Sequence, residues 1–357
     1  MTRIAFDVSA IPQRLTGAGV FVARLVEALA ATGDVDLELV ARRDDAARWS
    51  AFGNVHALAP TPRPARLLWE QRGGPAAART TGADVWHGPH YTLPLRVPLP
   101  SVVTVHDLTF FDHPEKHERS KVLFFRRMIR AACWRADTVV CVSDRTARRL
   151  HELVRVRGET VTIPHGVDTA RFTPDGHAES RGYPYVLYVG TIEPRKNVDG
   201  LVRAFARLRR AHPDLHLVLA GLPGWGARDV DVAINRTRSH DRVERLGYYP
   251  DEHLASLIRG ASAFVYPAVE EGFGLPVLEA LACGVPVVTT EDTVMADVAG
   301  GAALLAPRGD EEALAAAIDA ALTDPEPWRA AGPAVAGRFT WAAAATAHAD
   351  LYRGLAR

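Results

Sequence analysis

The sequence predicts an α/β protein of two Rossmann-like domains facing a central cleft, and three observations predict it. Short apolar runs of strand type alternate with helical patterns from end to end, which calls for parallel sheets covered on both faces. At 357 residues the chain exceeds what one hydrophobic core usually serves. Between the two series of runs lies Phe172-Thr-Pro-Asp-Gly-His-Ala-Glu-Ser-Arg-Gly-Tyr-Pro, polar, without apolar period and carrying Gly and Pro, so the linker is expected there. The expected domains are residues 1–172 and 185–335.

In the first half the strand runs are Ile4 to Val8, Leu37 to Val40, Val85 to His87, Val102 to Val105, Val139 to Val142 and Val161 to Ile163. Gly17-Ala-Gly19 precedes a helix from Val20 to Ala31, and a basic helix with an apolar stripe runs from about Ser120 to Arg135. The second half starts afresh with Tyr185-Val-Leu-Tyr-Val-Gly, a helix over Val198 to Ala211, and Leu215-His-Leu-Val-Leu-Ala-Gly. Val243 to Leu246, a helix after Asp251, Ala263 to Tyr266, Val285 to Thr289 and Ala303 to Leu305 complete it.

Composition narrows the function. Acidic and basic residues balance at 42 each, so no global field recruits nucleic acid. Cys133, Cys141 and Cys283 are odd in number and lack metal-ligand spacing, which fits a reducing compartment and argues against a disulfide framework or zinc site. No apolar run reaches the roughly 20 residues of a membrane span, and the chain opens on a strand pattern, Arg3-Ile-Ala-Phe-Asp-Val, rather than a signal peptide. The expected location is cytoplasmic.

The most informative stretch is Tyr266-Pro-Ala-Val-Glu-Glu-Gly-Phe-Gly-Leu-Pro-Val-Leu-Glu-Ala-Leu-Ala-Cys-Gly-Val-Pro-Val-Val. It reads as a strand end, a glycine-rich turn and a helix opening near Pro276, where a lost N–H is tolerated. Amides around Phe273 to Leu275 and the positive end of that helix suit a phosphate. Glu271 stands on the loop before the helix and Glu279 is expected in its first turn; two carboxylates beside a phosphate site suggest hydroxyl recognition. The spacing of the glutamates alone also suits a surface loop with two solvated side chains. The Gly-Phe-Gly-Leu-Pro between them and the Cys-Gly-Val-Pro-Val-Val after them favour the ligand reading.

This segment resembles the signature of the retaining glycosyltransferases of family four, which take a sugar from a nucleotide diphosphate. The resemblance implies the GT-B fold, with the final helix, about Trp341 to Arg357, crossing back onto the N-terminal domain. It implies that Glu271 contacts hydroxyls of the donor sugar, that Glu279 grips the ribose, and that Gly272, Phe273, Gly274 and Leu275 hold diphosphate and sugar through backbone N–H groups. It maps Lys196, and Arg195 beside it, to the diphosphate. Their turn, Gly190-Thr-Ile-Glu-Pro-Arg-Lys-Asn, follows the strand Tyr185 to Val189, where cations suit such a ligand. Lys196 is one of only three lysines in a chain otherwise rich in arginine. Thr191 departs from the family pattern, in which an arginine often follows the glycine, and Arg195 is a candidate replacement.

Gly17 and Gly19 are carried over as a glycine loop serving the donor phosphates from the first domain; the spacing itself fails the dinucleotide fingerprint. His106, at the end of the strand Ser101 to Val105, is carried over as a donor-sugar contact. His165-Gly166-Val167-Asp168 reads as an interdomain hinge, and His87-Gly-Pro-His90 as lining the acceptor side. Asp34-Val-Asp36 and Asp229-Val-Asp231 read as solvated charge rather than metal ligands, so the site is expected to be free of metal and of any cofactor beyond the donor. The basic helix 120–135 is a candidate contact for anionic lipid at the inner face of the membrane.

The expectation is a retaining, metal-independent hexosyltransferase moving sugar from a nucleotide diphosphate to a hydroxyl of a glycan, lipid-linked or small-molecule acceptor. The resemblance of Glu193-Pro-Arg-Lys-Asn197 to mannosyltransferases puts GDP-mannose ahead of a UDP-hexose. A GT-B nucleotide-sugar epimerase and a non-catalytic sugar-nucleotide binder are the alternatives.

Overall fold

In the computed structural model, which describes residues 1–13, 15 and 17–357, the chain forms two units: Met1–Gly166 with Trp341–Arg357, and Val167–Thr340. The crossing at Gly166 falls inside the turn read as a hinge. The polar stretch after Phe172, expected to be the linker, belongs to the second unit instead. Its backbone is tied down: the Glu179 N–H donates to the Ser256 carbonyl at 2.9 Å and Arg259 Nε donates to the His177 carbonyl at 2.9 Å. Polar composition there reflects anchoring by hydrogen bonds rather than by apolar contact.

The first unit holds seven strands: β1 (Thr2–Asp7), β2 (Val35–Arg42), β3 (Asn54–Ala59), β4 (Val85–Gly88), β5 (Ser101–Val105), β6 (Thr138–Cys141) and β7 (Glu159–Thr162). They lie in the order β3-β2-β1-β4-β5-β6-β7, and every pair is parallel. The period of two sorts β1 between two cores: Ile4 and Phe6 join Phe21, Leu25 and Leu29 on one face, Ala5 joins Trp86, Val103 and Ile129 on the other. β3 escaped the sequence reading because Asn54-Val-His-Ala-Leu-Ala is a poor strand former that is buried fully only at Ala59.

The helix Trp341–Leu355 belongs to this first unit. Ala344, Ala345, Ala349 and Tyr352 enter the core shared with Phe21. The Tyr352 hydroxyl meets His87 Nδ1 at 2.6 Å, and His87 Nε2 meets Thr104 Oγ1 at 2.8 Å. This chain of polar atoms ties the last helix to β4 and β5.

The second unit holds β8 (Tyr185–Val189), β9 (His216–Ala220), β10 (Val243–Gly247), β11 (Ala263–Tyr266), β12 (Val287–Thr290) and β13 (Ala303–Ala306), all parallel in the order β10-β9-β8-β11-β12-β13. β11 and β12 are buried along their whole length, as strands covered on both faces must be. The direction of winding reverses between β8 and β11. Ligands of open α/β sheets bind outside the carboxyl ends of the strands at such a point.

Candidate functional site

Two loops leave the sheet of the second unit at that reversal. The first, after β8, turns through Pro194–Lys196 into the helix Val198–Arg207, with Asn197 left-handed at φ 53°. The second, after β11, runs through Glu271 to Gly274 into the helix Leu275–Ala282. The Val269 N–H donates to the Arg195 carbonyl at 2.8 Å and stitches the loops together.

Their side chains converge. Lys196, 7 % exposed, donates to Glu271 Oε1 and to the Tyr266 hydroxyl. Arg195 donates to the same Glu271 oxygen at 2.7 Å and through Nε to Glu193 at 3.0 Å. The ammonium also lies 4.9 Å from the centroid of the Tyr266 ring, which stacks on Tyr188 at 5.7 Å. Burial pushes the Tyr266 phenol above its ordinary range, so it stays protonated beside the carboxylate. Tyr266 was not picked out from the sequence: a tyrosine closing an apolar strand run reads as core.

Gly274 caps the helix Leu275–Ala282 at φ 93°, where a Cβ would come within 2.8 Å of Met295 Cγ. The first turn of this helix holds no acid to repel an anion. Pro276 brings no N–H and the Val277 N–H is spent on the Gly274 carbonyl at 3.0 Å, so the amides an anion could meet here are those up to Leu275. Phe273 is 3 % exposed and meets Phe339 edge-on at 5.6 Å, anchoring the turn that Gly272 and Leu275 flank. Glu279 sits in the second turn of the helix, not the first as expected, because helical geometry already begins at Leu275. It is half-buried, one turn beyond the amides. Two large aromatics, Trp225 at 49 % and Tyr248 at 48 % exposure, stand on the loops after β9 and β10 at the same carboxyl edge.

In the first unit the helix begins at Ala18, so the glycine pair is split. Gly17 is the exposed residue before it, at φ 50°, whereas Gly19 is a buried helix residue whose Cβ position lies 3.4 Å from Ile11. His106 follows β5 and is 6 % exposed. Its Nε2 donates to the Pro89 carbonyl at 2.8 Å, and burial lowers its pKa to about 4. The ring is therefore neutral at pH 7 with Nδ1 an acceptor, suited to a sugar hydroxyl. His87 lines no surface: it is fully buried, and its two nitrogens serve Tyr352 and Thr104.

Among the described residues no group of three or more His, Cys, Asp or Glu is placed to hold a metal ion. Asp229 and Asp231 fall on the helix Ala227–Thr237, Asp231 paired with Arg245 at 2.7 Å. No described helix is long and apolar enough to cross a membrane. The basic helix spans Arg119–Arg135 and contains no acidic residue. Arg126 turns inward to the carbonyls of Phe110 and Phe111 at 2.7 and 3.2 Å, leaving Leu123, Arg127, Arg130 and Trp134 as the exposed stripe.

The family model described as glycosyl transferases group 1 matches residues 171–335, and that of glycosyltransferase family 4 matches residues 15–171. An O-antigen chain mannosyltransferase B of Escherichia coli is 30 % identical over 98 % of this chain and 99 % of its own. Among solved structures, a sucrose-phosphate synthase from Thermosynechococcus elongatus matches with a TM-score of 0.85 at 26 % identity, covering 99 % of both chains. HepE of Anabaena, in complex with UDP and glucose, has the same fold, with a TM-score of 0.78 at 18 % identity over 99 % of this chain and 100 % of that one.

Proposed function

The chain belongs to the group 1 glycosyltransferases of the GT-B type, and on that premise we propose that it is a retaining, metal-independent mannosyltransferase that uses GDP-mannose. The observation that carries this reading is the convergence of Arg195, Lys196 and Glu271 beside the helix opening at Leu275, where the sheet of the second unit reverses.

Breaking a sugar–phosphate bond places positive charge on the ring and negative charge on the departing diphosphate. Lys196, Arg195 and the amides from Gly272 to Leu275 are fixed donors for the latter, which is the service a metal would otherwise supply. Glu271 accepts from hydroxyls of the sugar, Glu279 from the ribose, and Trp225 and Tyr248 offer stacking faces for the base. From the first unit we assign His106 to a sugar hydroxyl through Nδ1, and Gly17, with the amide of Gly19 behind it, to the phosphates. The acceptor hydroxyl attacks from the leaving-group face and passes its proton to the departing phosphate oxygen, which keeps the anomeric configuration.

The mannosyl choice is supported by the 30 % identity, along nearly the whole chain, to a mannosyltransferase. We further assign the exposed stripe of the helix Arg119–Arg135 to an anionic lipid surface, with a lipid-linked glycan as the acceptor that goes with it. Incubation of the full chain with GDP-mannose and UDP-hexoses, in excess chelator and with a panel of glycan and lipid-linked acceptors, tests the reading. Mannose should be transferred with retention by NMR. Transfer restored only by added divalent metal refutes metal independence, an inverted product refutes retention, and donor conversion without acceptor identifies an epimerase instead.

A further inference from the structure

Two cations of the site share one carboxylate oxygen. Glu271 Oε1 accepts from Arg195 at 2.7 Å and from Lys196, with the Tyr266 hydroxyl against the same oxygen at 3.3 Å. Glu193 takes the other edge of the Arg195 guanidinium at 3.0 Å. Two cations and two carboxylates sum to zero, and the Lys196 and Glu271 side chains are only 9 % and 13 % exposed. Charges this sheltered are held by their partners, because each alone pays a large desolvation cost.

A diphosphate brings further negative charge to Lys196 and Arg195. With Glu271 still in place, two anions would sit on the same cations in a region of low dielectric, where like charges repel strongly. Glu271 and the diphosphate therefore compete. An intact donor compensates the displaced carboxylate with sugar hydroxyls; a free nucleoside diphosphate offers it nothing.

We propose that Glu271 is an internal competitor of the nucleoside diphosphate: it yields Arg195 and Lys196 to the incoming donor, turns to the sugar, and retakes the cations once the sugar has gone, thereby expelling the product. Tyr266 is the fixed partner in this exchange. Its ring beneath the ammonium and its stacking on Tyr188 hold Lys196 in one place while the carboxylate changes partners. The inference rests on the proposed diphosphate site and adds a sign to it: removing the Glu271 charge strengthens product binding.

The test is calorimetric titration of GDP, UDP and GDP-mannose into the full chain and its Glu271→Gln variant. The variant should bind whichever free nucleoside diphosphate the wild type binds at least about fivefold more tightly, the lower end of usual coupling between two linked events, and bind intact donor more weakly. In a Lys196→Met background, where only Arg195 is left to contest, the gain from Glu271→Gln should shrink. Should Glu271→Gln fold poorly, Glu271→Ala, which removes the same charge, is read by the same criterion. Unchanged or weaker binding of the free nucleotide in the variant overturns the exchange while leaving the diphosphate site intact. Failure of the wild-type chain to bind either nucleotide or donor overturns the proposed function, and the inference with it.

Discussion

Lys196 carries its charge at 7 % exposure because three things hold it: a carboxylate, a phenol and an aromatic face. A donor fixed in this way has its reorganisation cost met by folding, which is what makes it effective against charge that develops only in the transition state. Lys196→Ala should therefore lower the transfer rate by roughly a hundred- to a thousandfold, the usual cost of one preorganised donor, while the variant melts as a folded protein. Near-normal turnover would take Lys196 out of the chemistry. Lys196 and Glu271 stand out in the sequence because the first is one of three lysines in an arginine-rich chain and the second precedes Gly-Phe-Gly-Leu-Pro in the stretch that carries the family resemblance. Tyr266 does not, since an aromatic at a strand end has a sufficient explanation in packing. The helix start expected at Val20 was late for a related reason: a Gly-x-Gly shows freedom of backbone but not where the helix begins, and here it begins between the two glycines.

At the level of the element, the helix Arg119–Arg135 shows how a pattern divides once a neighbour is placed beside it. Arg126, one of several arginines in the sequence pattern, is consumed by the carbonyls ending the short helix Thr109–Asp112. Arg127 and Arg130 remain outward between Leu123 at 55 % and Trp134 at 46 % exposure. Arg130 lies over the Phe111 ring at 4.9 Å and Arg155 over Trp134 at 4.7 Å, so the basic face is interleaved with aromatic ones. Each basic residue close to an anionic surface contributes about 1 kcal/mol, so Arg127→Gln with Arg130→Gln should weaken binding to phosphatidylserine vesicles about thirtyfold. Sedimentation with vesicles measures it, and equal binding by the double variant would remove this helix as the contact. Most elements were legible because buried parallel strands are continuous apolar runs. β3 lies at the sheet edge with little to bury, and the hydrogen bond from His87 to Tyr352 joins residues 265 apart, which no local period reports.

Taken whole, the molecule distributes its titratable burden unevenly. His87, His90, His106, His165 and His348 all belong to the first unit, and burial depresses every one: to about 4 for His106 and His348, to about 3 for His90, where His106 and Arg66 add repulsion, and well below the ordinary value for His87 and His165. The folded unit thus refuses protons that the unfolded chain accepts below the ordinary value of 6.5, and stability must fall as the pH drops from there through the folded values. Asp7 and Glu70, raised by burial although Arg66 opposes the shift, act in the other sense, because the fold takes up their protons earlier than the unfolded chain does. Two such carboxylates stand against five imidazoles, so the net effect of acid on this unit is a loss of stability carried by the histidines. Acid should therefore loosen residues 1–166 and 341–357 before residues 167–340. Hydrogen exchange at pH 7 and pH 5, corrected for intrinsic rates, should show protection falling first in peptides from β4, β5 and the helix Trp341–Leu355, where His87, His106 and His348 are lodged. Loss that is equal in both units, or that begins around Lys196 and Glu271, would show that acid acts through some group other than these imidazoles.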